Sequence, residues 1–136
     1  MPRAAQAALR LLLAAAAIAV CVSVAGAARS EDRCSEAGAA VLRDVTGSAP
    51  QGTLQPALGT LRDGCTESRP LVLAAGLLAR AGREDEAAPL ARLAVRAEPE
   101  NPGAWAALFA ALRRSDPEGA ARARARAIEL NPMAAR

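Results

Sequence analysis

The chain has 136 residues, room for one small domain plus a targeting segment. All 17 basic residues are arginine, alanine is the commonest residue, and lysine, histidine and tyrosine are absent. Without histidine the usual general base and the commonest metal ligand are missing. Without lysine, Schiff-base and P-loop chemistry are excluded. Ser30, Ser35, Ser48, Ser68 and Ser115 have no base to activate them. Composition therefore argues against an enzyme, and neither cofactor nor metal is expected. Alanine and arginine favour helix, whereas β-branched and aromatic residues are scarce, so the chain is expected to be all-α.

In chain order, the first element is apolar. Met1-Pro2-Arg3 and Arg10 precede an uncharged run from Leu11 to Ala28, closed by Ala25-Gly26-Ala27-Ala28 and followed at once by Arg29, Glu31, Asp32 and Arg33. A positive start, an apolar middle and an Ala-x-Ala end describe a secretory signal peptide cleaved after Ala27 or Ala28. The length of the run also suits a short retained anchor, giving membrane attachment through residues 11–28. A lipoprotein modified at Cys21 is a third reading, opposed by Val20 where a small residue is expected. All three readings place residues 29–136 outside the cytoplasm. The arginine-only, alanine-heavy usage suggests a GC-rich bacterial genome, which would make that compartment the periplasm; the alternatives are the extracellular space or the outer side of an inner membrane.

Residues 29–136 hold 15 arginines and 14 acids and are nearly neutral. The run Ala121-Arg122-Ala123-Arg124-Ala125-Arg126 looks basic, but on a helix Arg124 lies nearly opposite Arg122 and Arg126. Glu118 and Arg122 have ion-pair spacing. No aromatics are interleaved for base stacking, so the run reads as a solvated helix face and no nucleic-acid partner is expected.

Cys34 and Cys65 form an even pair in an exported, oxidising context. A helix is expected from about Glu31 to Val45, ending at Thr46-Gly47-Ser48, and a second from Leu54 to Asp63, capped by Thr53 and stopped by Gly64. The midpoint of the two cysteines falls in the loop Ala49-Pro50-Gln51-Gly52, so a disulfide would clasp the open end of the hairpin at 29–67. The alternative is a pair of buried thiols. Two cysteines without histidine are a poor zinc set.

The second half repeats itself. Leu71, Ala74, Ala75, Leu78 and Arg80 precede Trp105, Leu108, Phe109, Leu112 and Arg114 at one constant offset. Beyond the inter-helix turn the offset shortens by a single position, pairing Ala87 with Ala120, Ala94 with Ala127 and Pro99 with Pro132. Asn101-Pro102 and Asp116-Pro117 each read as a cap followed by proline at the first helical position. Glu84, Asp85 and Glu86 crowd one helix start, where the dipole favours anions. Pro89, inside the same helix, should remove a backbone bond and bend it. Leu71, Leu78, Trp105, Leu108 and Leu112 are the expected repeat core.

A period of about 34 residues, the closing prolines and Trp105-x-x-Leu108-Phe109-x-x-Leu112 followed by Ala120 and Ala127 resemble the tetratricopeptide repeat (TPR) family. The resemblance covers two repeats, 68–101 and 102–136. It departs from the family at Ala75 and Phe109, where glycine is preferred, and at Arg124, where a large apolar residue is preferred. The hairpin before Ser68 is TPR-like and supplies a third layer. The implied architecture is a short helical-hairpin solenoid of about six helices after the N-terminal apolar helix (1–28), with a clasped hairpin (29–67) and two repeats (68–136). Arg124 then reads as a capping change on a terminal helix.

The resemblance further implies a scaffold whose concave groove takes a protein or peptide. Its inward-facing residues would be Arg69, Val72, Gly76, Arg80, Ala106, Ala110 and Arg113, with Arg114 at the rim. Arg80, Arg113 and Arg114 would suit an acidic or mixed segment. The other class left open is a small subunit of a membrane complex, anchored by its first helix.

Overall fold

The computed structural model describes the backbone of residues 3–135 and the side chains of residues 12–133. The arginines and Leu11 that open the apolar run, and Arg136 at the other end, therefore have no described side chains. Among the described residues the protein is all-helical, with no strand. The helices are α1 (Arg3–Val45), α2 (Leu54–Gly64), α3 (Ser68–Arg80), α4 (Glu84–Ala97), α5 (Pro102–Leu112) and α6 (Pro117–Leu130), followed by one 3₁₀ turn, Pro132–Ala135. By its internal contacts the chain divides into two units, Met1–Asp32 and Arg33–Arg136.

The described residues of the first unit all belong to α1. Leu12, Leu13, Ile18, Val20, Val22 and Val24 are 62–69% exposed. Ser23 and Ser30 satisfy their hydroxyls by donating to the carbonyls of Ala19 and Ala27, one turn back. Among the described residues α1 alone is long and apolar enough to cross a membrane. The expected break between an apolar helix and a hairpin helix starting near Glu31 is absent: nothing between Ala25 and Arg33 is a strong breaker except Gly26, and one glycine costs a helix only about 1 kcal/mol.

The second unit is built from hairpins. Val41 on α1 and Leu58 and Leu61 on α2 are fully buried, and the disulfide joins Cys34, inside α1, to Cys65, just after α2, with Cα atoms 5.7 Å apart. Thr53 does not cap α2. It already has helical backbone angles, and its hydroxyl donates to the carbonyl of Pro50 at 2.9 Å instead. Gly64 is the last helical residue, and Cys65, extended, ends the helix.

α1 and α3 end alike. Gly47 and Gly82 take φ of 74° and 78°, the left-handed angles that an L side chain resists. That turn lets Ser48 N–H reach the carbonyl of Arg43 and Arg83 N–H that of Leu78, closing the last turn of each helix. Helices α3 and α5 start at Ser68 and Pro102, and α4 and α6 at Glu84 and Pro117, so the second pair of starts is closer by a single position. The position lost falls where α5 passes to α6 without a left-handed glycine. Helix α4 runs on through Pro89, which cannot donate to Asp85. Asn101 caps α5 by accepting from Gly103 N–H at 2.9 Å, and Asp116 caps α6 by accepting from Gly119 N–H at 2.8 Å.

α3 packs on α4, α5 packs on both, α6 packs on α5, and α2 touches α4. Most residues of the core are alanines, with Leu71, Leu78 and Leu90 fully buried between them. Leu108 and Leu112 are buried as well. Trp105 and Phe109 are only partly buried against the core. The Trp105 indole N–H donates to the carbonyl of Pro99 at 2.7 Å, tying α5 to the loop before it.

Replacing both Cys34 and Cys65 by alanine should lower stability by about 3–4 kcal/mol, the chain-entropy value for a loop of about 30 residues. Guanidinium melts of the two forms, with alkylation of the unreduced protein as control, measure this.

Candidate partner-binding groove

One face of α3 is buried through Leu71, Ala74, Ala75 and Leu78. The adjacent stripe of the same helix, Val72, Leu73, Gly76, Leu77 and Arg80, is left to line a groove. α5 repeats the division: Ala104, Ala107, Leu108 and Ala111 are buried, while Gly103, Ala106, Ala107 and Ala110 form the opposite wall. The groove holds about 310 Å³. Its floor is low because glycine and alanine recur on both helices. At Gly103 a Cβ would sit in ordinary contact with Val72 Cγ1, at 3.7 Å, but would crowd the capping Asn101 Oδ1 at 3.1 Å.

The groove carries no acid. Helix α3 has only Arg69 and Arg80 as charged residues, and α5 has none between Pro102 and Leu112. Leu73, at 51% exposed, is an apolar side chain open to solvent on this wall. Acids near these two helices in sequence lie outside them, at Glu67 before α3, at the start of α4 and in the loop after it.

Of the residues expected to face inward, the structure brings together Val72, Gly76, Arg80, Ala106 and Ala110. Arg69 is exposed outside the lining. Arg113 lies on a separate cleft with Phe109, one turn before it on α5. Arg114, one residue further round, has its Nε 3.7 Å from Glu84 Oε1 and its Nη1 against the turn at Gly82. The expected cluster of Arg80, Arg113 and Arg114 is therefore replaced by a single arginine in the groove. Arg113 and Arg114 lie beyond the last residue of α5, where the chain turns away from the groove wall toward α6 and the start of α4. Leu73, Leu77, Gly103 and Ala107 were missed by the sequence reading. Leu73 could have been found as a leucine beside the buried stripe of α3.

Two polar networks hold the groove's supports. Arg83 donates to Asp44 at the end of α1 and, through two nitrogens, to Glu86 on α4, which also accepts from Gln55 of α2. Hydrogen bonds and charge from Glu86, then Asp44, hold Arg83 more firmly protonated than usual, against the cost of partial burial. At the start of α3, buried Ser68 accepts from Asn101 Nδ2 at 3.0 Å, and the same amide donates to Glu98 at 2.9 Å. The Ser68 hydroxyl and then Asn101 hold the Glu98 carboxyl below its ordinary range.

Comparison of the chain with protein-family models, with curated proteins and with solved structures gives no match in any of the three.

Because the folded state lowers the Glu98 pKa, its contribution is present above the ordinary value of 4.5 and is lost as pH falls through the lower folded value. Glu98→Gln should therefore flatten the acid limb of a melting-temperature profile below about pH 4.5 and leave the neutral limb nearly parallel to wild type.

Proposed function

We propose that the chain is an exported, non-catalytic adaptor built on TPR-like hairpins, whose α3–α5 groove takes an acidic or mixed-charge segment of a protein partner. The observation that carries this reading is the groove: an apolar, acid-free trough between two helices with one arginine at its end. The recurrent spacing of the helix starts and the packing of α5 on both α3 and α4 support the repeat reading. The N-terminal apolar helix suggests a signal or an anchor, and the disulfide suggests an oxidising compartment. The periplasm is the compartment that fits both and the GC-rich composition.

A second reading, an anchored subunit of a membrane complex, is favoured by one observation. Helix α1 has no break at residues 25–28, where a signal segment would end, and its exposed leucines, isoleucine and valines need lipid to cover them. Carbonate extraction and intact mass separate the two. Release and a mass starting near Ala28 or Arg29 support the free adaptor; retention at full length supports the subunit.

The groove itself is tested by a photo-crosslinking residue at Ala106 in the natively expressed chain. A discrete adduct that falls at least fivefold in Arg80→Glu is the expected result. An adduct unchanged by that reversal would remove the groove as the binding surface.

A further inference from the structure

A second surface lies at the far end of the last hairpin, on residues that the groove does not use. Phe109 and Arg113 are one turn apart on one edge of α5. Ala120, Ala121, Arg124, Ala125 and Ile128 follow on α6 at intervals that place them along one continuous stripe. Together they line a cleft of about 440 Å³ that contains no acid. Phe109 and Ile128 are half-buried, and both arginines are exposed.

The repeat shows what such a surface does inside this chain. At the same offsets in the preceding hairpin stand Ala75, Ala79, Ala87 and Ala91. All four are buried, at 0–3% exposure, in the hairpin against which α5 packs. Of the corresponding positions in the second repeat, Ala120 stays buried at 3% and Phe109 is half-buried, whereas Arg113 and Arg124 are exposed. Two have changed in kind: Ala79 corresponds to Arg113, and Ala91 to Arg124.

Those two arginines also differ from their neighbours in pairing. Arg114, Arg122 and Arg126 each face a carboxylate within 4 Å, from Glu84, Glu118 and Glu129. Among the described residues, neither Arg113 nor Arg124 pairs with a carboxylate, and both line the cleft.

We propose that this cleft docks a helix of a protein partner that presents an apolar stripe like that of α5, flanked by carboxylates that pair with Arg113 and Arg124. A second copy of this chain is a poor occupant, because its α5 is uncharged from Pro102 to Leu112 and already buried in its own core. The pairs would be charge-assisted and partly shielded at the edge of an apolar contact.

The test uses the full chain in neutral detergent and two labelled peptides. Each carries the 102–112 sequence of α5, flanked at both ends by glutamates in one and by lysines in the other. Fluorescence anisotropy should give at least tenfold tighter binding of the glutamate peptide, and R113E/R124E should reverse that preference. Arg62→Glu, on α2 and in the lining of neither cleft, should leave it unchanged. Absence of binding, or a charge preference indifferent to R113E/R124E, overturns the proposal. So does concentration-dependent self-association of the chain alone that R113E/R124E abolishes, since it assigns the cleft to a second copy.

Discussion

Burying an alanine removes little more than one methyl group from water, about 0.8 kcal/mol per carbon hidden. A core made mostly of alanine must therefore gain by close approach, filling its space with neighbouring backbone and with a few well-placed leucines. That constraint runs through the structure. It explains why Leu71, Leu78 and Leu90 are fully buried while wider, softer fillers are absent. It explains why the hairpins are short, and why polar ties supplement them: Arg83 across three helices, and Asn101 both capping α5 and bonding to Ser68. The disulfide serves the same need beside α1 and α2, whose Val41, Leu54, Leu58 and Leu61 are buried.

The same small residues shape the groove between α3 and α5. Where alanine and glycine turn outward on α3 and α5, they leave a trough instead of a ridge. Charge is then distributed by helix. α4 begins with three acids that suit its N-terminal dipole and hold Arg83 and Arg114, whereas α3 and α5 contribute no carboxylate to the trough. The last hairpin follows a different rule, with arginine at positions that alanine fills in the hairpin before it. The first copy of the repeat thus buries alanine at positions where the second copy exposes arginine.

Much was legible from residue order alone. All-α character followed from composition, the pairing of Cys34 with Cys65 from their symmetry about a loop, and the caps at Asn101 and Asp116 from a polar residue preceding proline. These are local facts, decided within a few residues by backbone hydrogen bonding or loop geometry. The errors were also local in origin. Thr53 looked like a cap, but the Pro50 carbonyl took its hydroxyl. Glu31 looked like a helix start, but the alanine-rich stretch before it had no reason to stop being helical.

What the sequence by itself determined is the series of helices from α2 to α6, their spacing and most of the residues each buries, because helical periodicity is written in the chain. Only the tertiary structure decided which outward residues share a surface. Arg80, Arg113 and Arg114 are neighbours in the aligned repeats but serve three environments: the groove, the terminal cleft and the Glu84 carboxylate. The physical reason is that a helix turns about 100° per residue, so the wall a side chain joins depends on where the next helix is packed. That packing is settled by the summed close contacts of many alanines, no one of which carries a visible mark in the sequence.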